Sequence, residues 1–149
     1  MNILMRVEYN KNKCSITKKG EVFTMTRIPE RDRNIMEQAI YLPMVLTILN
    51  RDLKVIDASP FKLKQPYVNL VDETMRVIQK ELRSVKHYMN KEKLSVQEIK
   101  RDEAFTMFMF LYKGYEEQHN YFNPRIRNKV HELLEFYLFK RYTSSQISQ

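Results

Sequence analysis

The chain contains very little cysteine and glycine. Its single cysteine, Cys14, lies near the start, and Gly20 and Gly114 are the only glycines in 149 residues. From Met25 onward this composition excludes a disulfide framework, a thiolate zinc site and a cysteine nucleophile. Glycine-rich phosphate-binding loops are excluded there as well. Sandwiches and barrels need many tight turns, so the scarcity of glycine also argues against these all-β folds.

Long apolar stretches are also missing. No stretch of about 18 consecutive apolar residues occurs, so the sequence predicts no membrane-spanning helix. The first residues lack the apolar core and the small-residue cleavage site of a secretory signal. We therefore expect a cytoplasmic protein without a membrane partner.

Residues 18–25, KKGEVFTM, raise the question of where the working protein begins. Lys-Gly-Glu-Val can be encoded by a purine-rich stretch that resembles a bacterial ribosome-binding site, and Met25 follows at a plausible distance. We hypothesise that residues 1–24 are a translated leader or a disordered arm. Residues 25–142 then form one helical domain, and residues 143–149 form a flexible tail. Without the leader, the net charge falls from +8 to +5.

Two long segments carry the apolar periodicity of amphipathic helices. The first runs from about residue 29 to 56, and Pro43 predicts a kink within it. The second runs from about residue 66 to 90, with Pro66 suited to its first turn. In both, apolar residues step by four and three positions, which predicts a seam that packs helix against helix. A short connection between them favours an antiparallel hairpin.

The second half of the chain is interpreted as two further helices. Residues 102–120 are predicted to be helical with Asp102 as N-cap, although their aromatic density also suits a strand in a hairpin with residues 94–101. Asn123 is predicted to cap a last helix that reaches about residue 142. The predicted fold is therefore all-α, a compact antiparallel four-helix arrangement with a minor β element near residues 94–99.

Glu116 and His119 form the Glu-x-x-His spacing used in carboxylate-bridged di-metal bundles. Those sites need a second such pair, but positions 84 and 128, three residues before His87 and His131, hold Ser and Asn. We interpret the pair as a polar helix end, and we predict no metal, no cofactor and no catalytic residue. A metal-dependent helical-bundle enzyme remains the weakest alternative.

Basic and aromatic residues mark a candidate binding surface. Basic side chains in the first turns of a helix oppose its dipole, which favours an anionic partner. A solvated face paired with nearby glutamates explains the same residues. The candidate residues are Arg125, Arg127, Lys129 and Tyr121, together with Arg83 and Lys86 on the second helix.

These features favour a non-enzymatic protein-interaction or regulatory protein whose partner is another protein. The leading alternative is nucleic-acid binding through the basic faces of the second and last helices. The apolar flank of the first helix would favour a homodimer if it stays uncovered.

Five short motifs stand out along the chain, at residues 40–44 (IYLPM), 60–64 (PFKLK), 101–107 (RDEAFTM), 114–117 (GYEE) and 121–128 (YFNPRIRN). In these motifs the chain resembles the YhjD-like proteins of Bacillus-type bacteria. The resemblance covers residues 25–142. It implies a cytoplasmic helical protein of spore-forming bacteria with a regulatory or accessory role, and it carries no functional residue over to this chain.

Overall fold

A computed structural model describes residues 27–141 in full and, before them, the backbone of three strands. The elements are β1 (Met5–Tyr9), β2 (Ser15–Lys18), β3 (Glu21–Thr24), α1 (Glu30–Asp57), α2 (Gln65–Lys91), β4 (Leu94–Arg101), β5 (Phe105–Tyr112), β6 (Tyr115–Phe122) and α3 (Asn123–Glu135). A π-helical turn, Phe136–Lys140, extends α3. The hypothesised leader and the flexible tail depend on residues outside the fully described part, so both stay predictions.

The predicted all-α four-helix fold is wrong, because the chain forms an α+β fold with an antiparallel sheet. The strand order is β1-β6-β5-β4, and β2 and β3 form a separate pair. The minor β element near residues 94–99 is confirmed as β4, and its hairpin with β5 is confirmed as well. The predicted helix over residues 102–120 is replaced by β5 and β6. Aromatic side chains in β5 pack well on a pleated surface, which a short apolar run does not distinguish from a buried helix.

The turn between β5 and β6 contains two residues with positive φ. Lys113 has φ 49° and Gly114 has φ 82°. Two consecutive residues in this region form the tight turn whose twist matches that of antiparallel strands. The turn sets the register from Tyr112 opposite Tyr115 to Phe105 opposite Phe122.

The three predicted amphipathic helices are confirmed. Helices α1 and α2 form the antiparallel hairpin, with Pro29 just before α1 and Pro66 in the first turn of α2. Pro43 lies inside α1, where the hydroxyl of Thr47 donates to the Pro43 carbonyl over 2.9 Å. The cap predicted at Asn123 is wrong. Phe122 is the N-cap of α3, and none of the described side chains caps this helix.

The helices cover one face of the sheet, which we call the inner face. Side chains of alternate residues point to this face, including Phe108 and Phe110 of β5 and Tyr121 of β6, and all three are buried. They pack against the buried seam of α1, which includes Met36 and Val45. Among the described helices, none combines the length and hydropathy needed to cross a membrane.

Candidate functional site

The basic residues predicted on the last helix lie in different environments. Arg125 is half-buried, and its charge opposes the increase in the pKa of Tyr41 to about 12 that burial and Glu37 cause. Arg127 and Lys129 are exposed, and the Lys129 ammonium lies 3.7 Å from the Glu132 carboxylate. The structure thus keeps two of these three side chains on the surface.

The remaining predicted site residues are divided between surface and core. Arg83 and Lys86 are exposed on α2. Tyr121 is only 1% exposed, so its ring is core and not part of a surface. Its hydroxyl donates to Glu37 Oε1 over 2.9 Å, and burial beside this carboxylate raises the pKa of Tyr121. Nucleic-acid binding by the basic residues stays a prediction.

The Glu116–His119 pairing expected on a helix is wrong, because these residues belong to strand β6. Positions three apart on a strand point to opposite faces. Glu116 is exposed on the outer face, whereas His119 is 0% exposed on the inner face. Positions two apart share a face, so the buried partner of His119 is Glu117.

Glu117 and His119 form a closed polar pair inside the protein. Glu117 Oε2 lies 2.9 Å from His119 Nε2, and Glu117 Oε1 accepts the backbone N–H of Arg27 over 2.9 Å. The ring of Phe110 stacks on the imidazole with a centroid separation of 4.3 Å. The Nδ1 atom of His119 is buried and has no hydrogen-bond partner among the described residues. Both side chains are 0% exposed, so a substrate cannot reach this pair in the described conformation.

Other tyrosine–carboxylate pairs tie the helices together. The Tyr88 hydroxyl of α2 donates to Asp32 Oδ1 of α1 over 2.7 Å, and this hydrogen bond is the main cause of the raised pKa of Tyr88. Tyr137, after α3, donates to the Glu81 carboxylate of α2. Burial raises the pKa of Glu81. Such pairs satisfy the polar groups of these side chains within the fold.

Groups able to hold a metal are missing from the described part of the chain. Within it, no cluster of three or more His, Cys, Asp or Glu side chains has the required geometry. A cleft of about 320 Å³ lies between α1 and β4, and its lining includes Met44, Val96 and Phe108. Arg101 and Glu98 form an ion pair there, 2.9 Å apart. This cleft offers apolar contacts and one ion pair, but no nucleophile with an adjacent base.

The connection between α1 and α2 exposes large apolar side chains. We call this region the tip surface, formed by Val55, Phe61, Leu63, Tyr67 and Leu70, all of them exposed. Leu63 is 72% exposed. Exposed large apolar side chains that lie close together along the chain are typical of interaction sites, so this group is the strongest candidate for a binding site.

Local hydrogen bonds hold the tip surface in a defined shape. The Ser59 hydroxyl donates to the Ile56 carbonyl over 2.6 Å, and the Lys64 ammonium donates to the Asp57 carbonyl over 2.8 Å. The rings of Phe61 and Tyr67 pack against each other with centroids 5.4 Å apart. These contacts order the connection while its apolar side chains stay exposed.

Sequence reasoning treated the tip surface only as a connection. A signal for it was present, because Phe61 and Leu63 alternate with lysines between Pro60 and Pro66. Apolar side chains in a proline-bounded turn have little chance of reaching a core. The combination of a proline-bounded turn and apolar side chains therefore predicts an exposed apolar surface.

Together, the fold and its surfaces define an α+β protein with a long helical hairpin on an antiparallel sheet, a closed polar core and an exposed apolar tip. Residues 27–142 match the family described as YhjD protein, and the chain belongs to this family. It is 48% identical over 115 residues to the "Uncharacterized protein YhjD" of Bacillus subtilis (strain 168), an alignment that covers 77% of this chain and 96% of that protein. The predicted family resemblance is therefore confirmed. No solved structure matches the chain.

Proposed function

We propose that this chain is a non-enzymatic docking protein of the cytoplasm, with a regulatory or accessory role, that binds its partner through the tip surface. The observation that carries the proposal is the exposure of Phe61 and Leu63 in an ordered turn. Exposed apolar side chains held in place lose little conformational freedom on binding, which favours recognition. The absence of cysteine after Cys14 fits a reducing compartment.

The closed core supports a non-enzymatic role. Glu117 and His119 are the most obvious acid–base pair, and both are fully buried and bonded to each other. The hydroxyl of Tyr121 is likewise committed to Glu37. An acid–base catalyst must come within hydrogen-bonding distance of its substrate, and these groups face only protein.

We favour the tip surface over the basic start of α3 as the docking site. Arg125 is half-buried beside Tyr41, and Lys129 already lies near Glu132. Leu63 has no such role in the fold, because most of its side chain contacts solvent. Binding at the tip therefore removes apolar surface from water without breaking a contact within the protein.

Site-specific photo-crosslinking in living cells tests this proposal. A photoreactive amino acid at position 63 of the full chain is expected to give crosslinked adducts. The same amino acid at the exposed Gln97 of β4 serves as the matched control. Adducts of another copy of this chain at position 63 would identify the docking event as homodimerisation. Equal adduct formation at positions 63 and 97, or none at either, would refute docking of a protein at the tip.

A further inference from the structure

The tip surface combines apolar and basic side chains in alternation. Residues 61–64 read Phe-Lys-Leu-Lys, and Phe61 and Leu63 are exposed together with Lys62. Arg51 and Lys54 are exposed on the last turns of α1, close along the chain. Residues 51–67 contain the acidic side chains Asp52 and Asp57 against four basic ones, so this end of the molecule is positively charged.

The tip also projects beyond the sheet. Thr47 of α1 and Arg101, the last residue of β4, line the same cleft, so the sheet ends near Thr47. Helix α1 continues to Asp57, roughly 15 Å farther. Among the described residues, the tip is therefore the part of the α1–α2 hairpin that lies beyond this edge of the sheet.

We propose that the tip surface binds the surface of an anionic lipid bilayer. This inference rests on the proposed function, because it names the partner of the same docking surface. Phe61 and Leu63 enter the interfacial layer while Lys62 contacts lipid phosphates in the same plane. A membrane partner departs from the sequence-based expectation of a protein partner and of no membrane partner.

The alternation of side chains favours a bilayer over a protein pocket. A protein pocket that enclosed Phe61 and Leu63 would also bury the lysine between them, at a large desolvation cost. A lipid interface accepts both, since apolar side chains reach the acyl layer and lysine side chains extend to the headgroups. Two apolar side chains and a few lysines give reversible surface association, in keeping with the need for two signals for stable anchoring.

Co-sedimentation of the full chain with lipid vesicles tests the proposal. We expect binding to vesicles of phosphatidylglycerol and phosphatidylcholine, no binding to phosphatidylcholine alone, and loss of binding at high salt. The double substitution Phe61→Ser and Leu63→Ser should weaken binding at least about tenfold. Lys62→Gln should weaken it about fivefold. Phe139→Ser, which removes an exposed aromatic side chain outside the tip, should leave vesicle binding unchanged.

Two results would overturn the lipid proposal. One is equal binding to neutral and anionic vesicles, and the other is unchanged anionic binding by the double variant. The second result would show that the general positive charge of the chain attracts vesicles without the tip. In either case, protein adducts from the photoreactive residue at position 63 would still support the docking role. Failure of both experiments would refute the docking role as well. Circular dichroism of each variant verifies that it is folded.

Discussion

At the scale of the residue, Glu117 holds a carboxylate in the core. Replacing it with alanine leaves the Arg27 N–H and the His119 imidazole without their acceptor. We expect Glu117→Ala to lower the free energy of unfolding by roughly 2–5 kcal/mol. Glu116→Ala is the matched control, and since Glu116 is exposed, it should change stability by less than about 0.5 kcal/mol. Urea denaturation measures both, and equal effects would contradict the strand assignment of this segment.

Asn123 joins the turn before β5 to the start of α3. Its side-chain amide donates to the carbonyls of Asp102 and Glu103, at 2.9 and 3.1 Å, and accepts the Thr106 hydroxyl at 2.7 Å. Asn123→Ala should therefore destabilise the protein by roughly 1–3 kcal/mol in thermal or chemical denaturation. Asn128→Ala, at an exposed position of the same helix, should be close to neutral. A similar loss in both variants would contradict a bridging role for the Asn123 side chain.

Asp102 gives the turn between β4 and β5 a dependence on pH. Its Oδ1 accepts the N–H groups of Phe105 and Ala104, and these bonds lower its pKa below the usual 3.8. Because the Asp102 carboxyl has a lower pKa in the folded state than in the unfolded state, its carboxylate form stabilises the protein at pH values above the unfolded-state pKa. This stabilisation is lost as the pH falls through the folded-state pKa.

The corresponding test compares the wild type with Asp102→Asn in denaturant titrations over a series of pH values. We expect the wild type to be more stable at neutral pH and the difference to narrow below about pH 4, where the aspartate becomes protonated. A stability difference that stays constant between neutral pH and pH 2 would show that the charge of Asp102 plays no part in closing the turn.

At the scale of the element, the β5–β6 hairpin depends on its two-residue turn. Gly114 has φ +82°, and a Cβ at this position would meet no atom within 4 Å. The cost of Gly114→Ala is therefore almost purely conformational, and we expect a loss of about 1–2 kcal/mol in unfolding free energy. Lys113→Ala retains the positive φ and an L side chain, so it should change stability by less than about 0.5 kcal/mol. An unchanged unfolding free energy in Gly114→Ala would mean that the turn has a different geometry at this position.

The helices were predictable from sequence and most of the sheet was not, for reasons visible in β5 and β6. Both faces of β5 are apolar, since buried Phe108 and Phe110 alternate with half-buried Met107 and Met109. The sequence of β5 therefore lacks the alternation of polar and apolar residues that indicates a half-buried strand. In β6 the inner face itself carries polar groups such as Glu117, so burial and hydropathy disagree there. In α1 and α2, by contrast, the buried positions are apolar except for Asp32 and Thr74.

Helical periodicity was assigned to residues 116–119 in place of strand periodicity, and this led to a wrong pairing of side chains in the candidate site. A spacing of three joins Glu116 to His119 on a helix, whereas a spacing of two joins Glu117 to His119 on a strand. Tyr121 was expected at a basic and aromatic binding surface, yet its ring completes the core. The tip surface was predictable from the local sequence around Phe61 and Leu63 alone. The exposure of side chains in a short proline-bounded connection depends little on distant contacts.

At the scale of the whole molecule, we expect folding and the proposed docking to depend on different apolar side chains. Leu49 of α1 is 1% exposed in the core, whereas Leu63 is 72% exposed at the tip, within the same helical hairpin. Leu49→Ala creates a cavity and should cost roughly 2–5 kcal/mol. Leu63→Ala should cost less than about 0.5 kcal/mol, yet it should reduce docking.

Thermal denaturation and co-sedimentation with anionic vesicles, both measured on the two variants, test whether stability and docking depend on different side chains. We expect a lowered melting temperature for Leu49→Ala and an unchanged one for Leu63→Ala. Docking should fall only in Leu63→Ala, measured below the melting temperature of both proteins. A large stability loss in Leu63→Ala would show that the tip side chain packs within the fold, and the exposed surface on which docking depends would then not exist in solution.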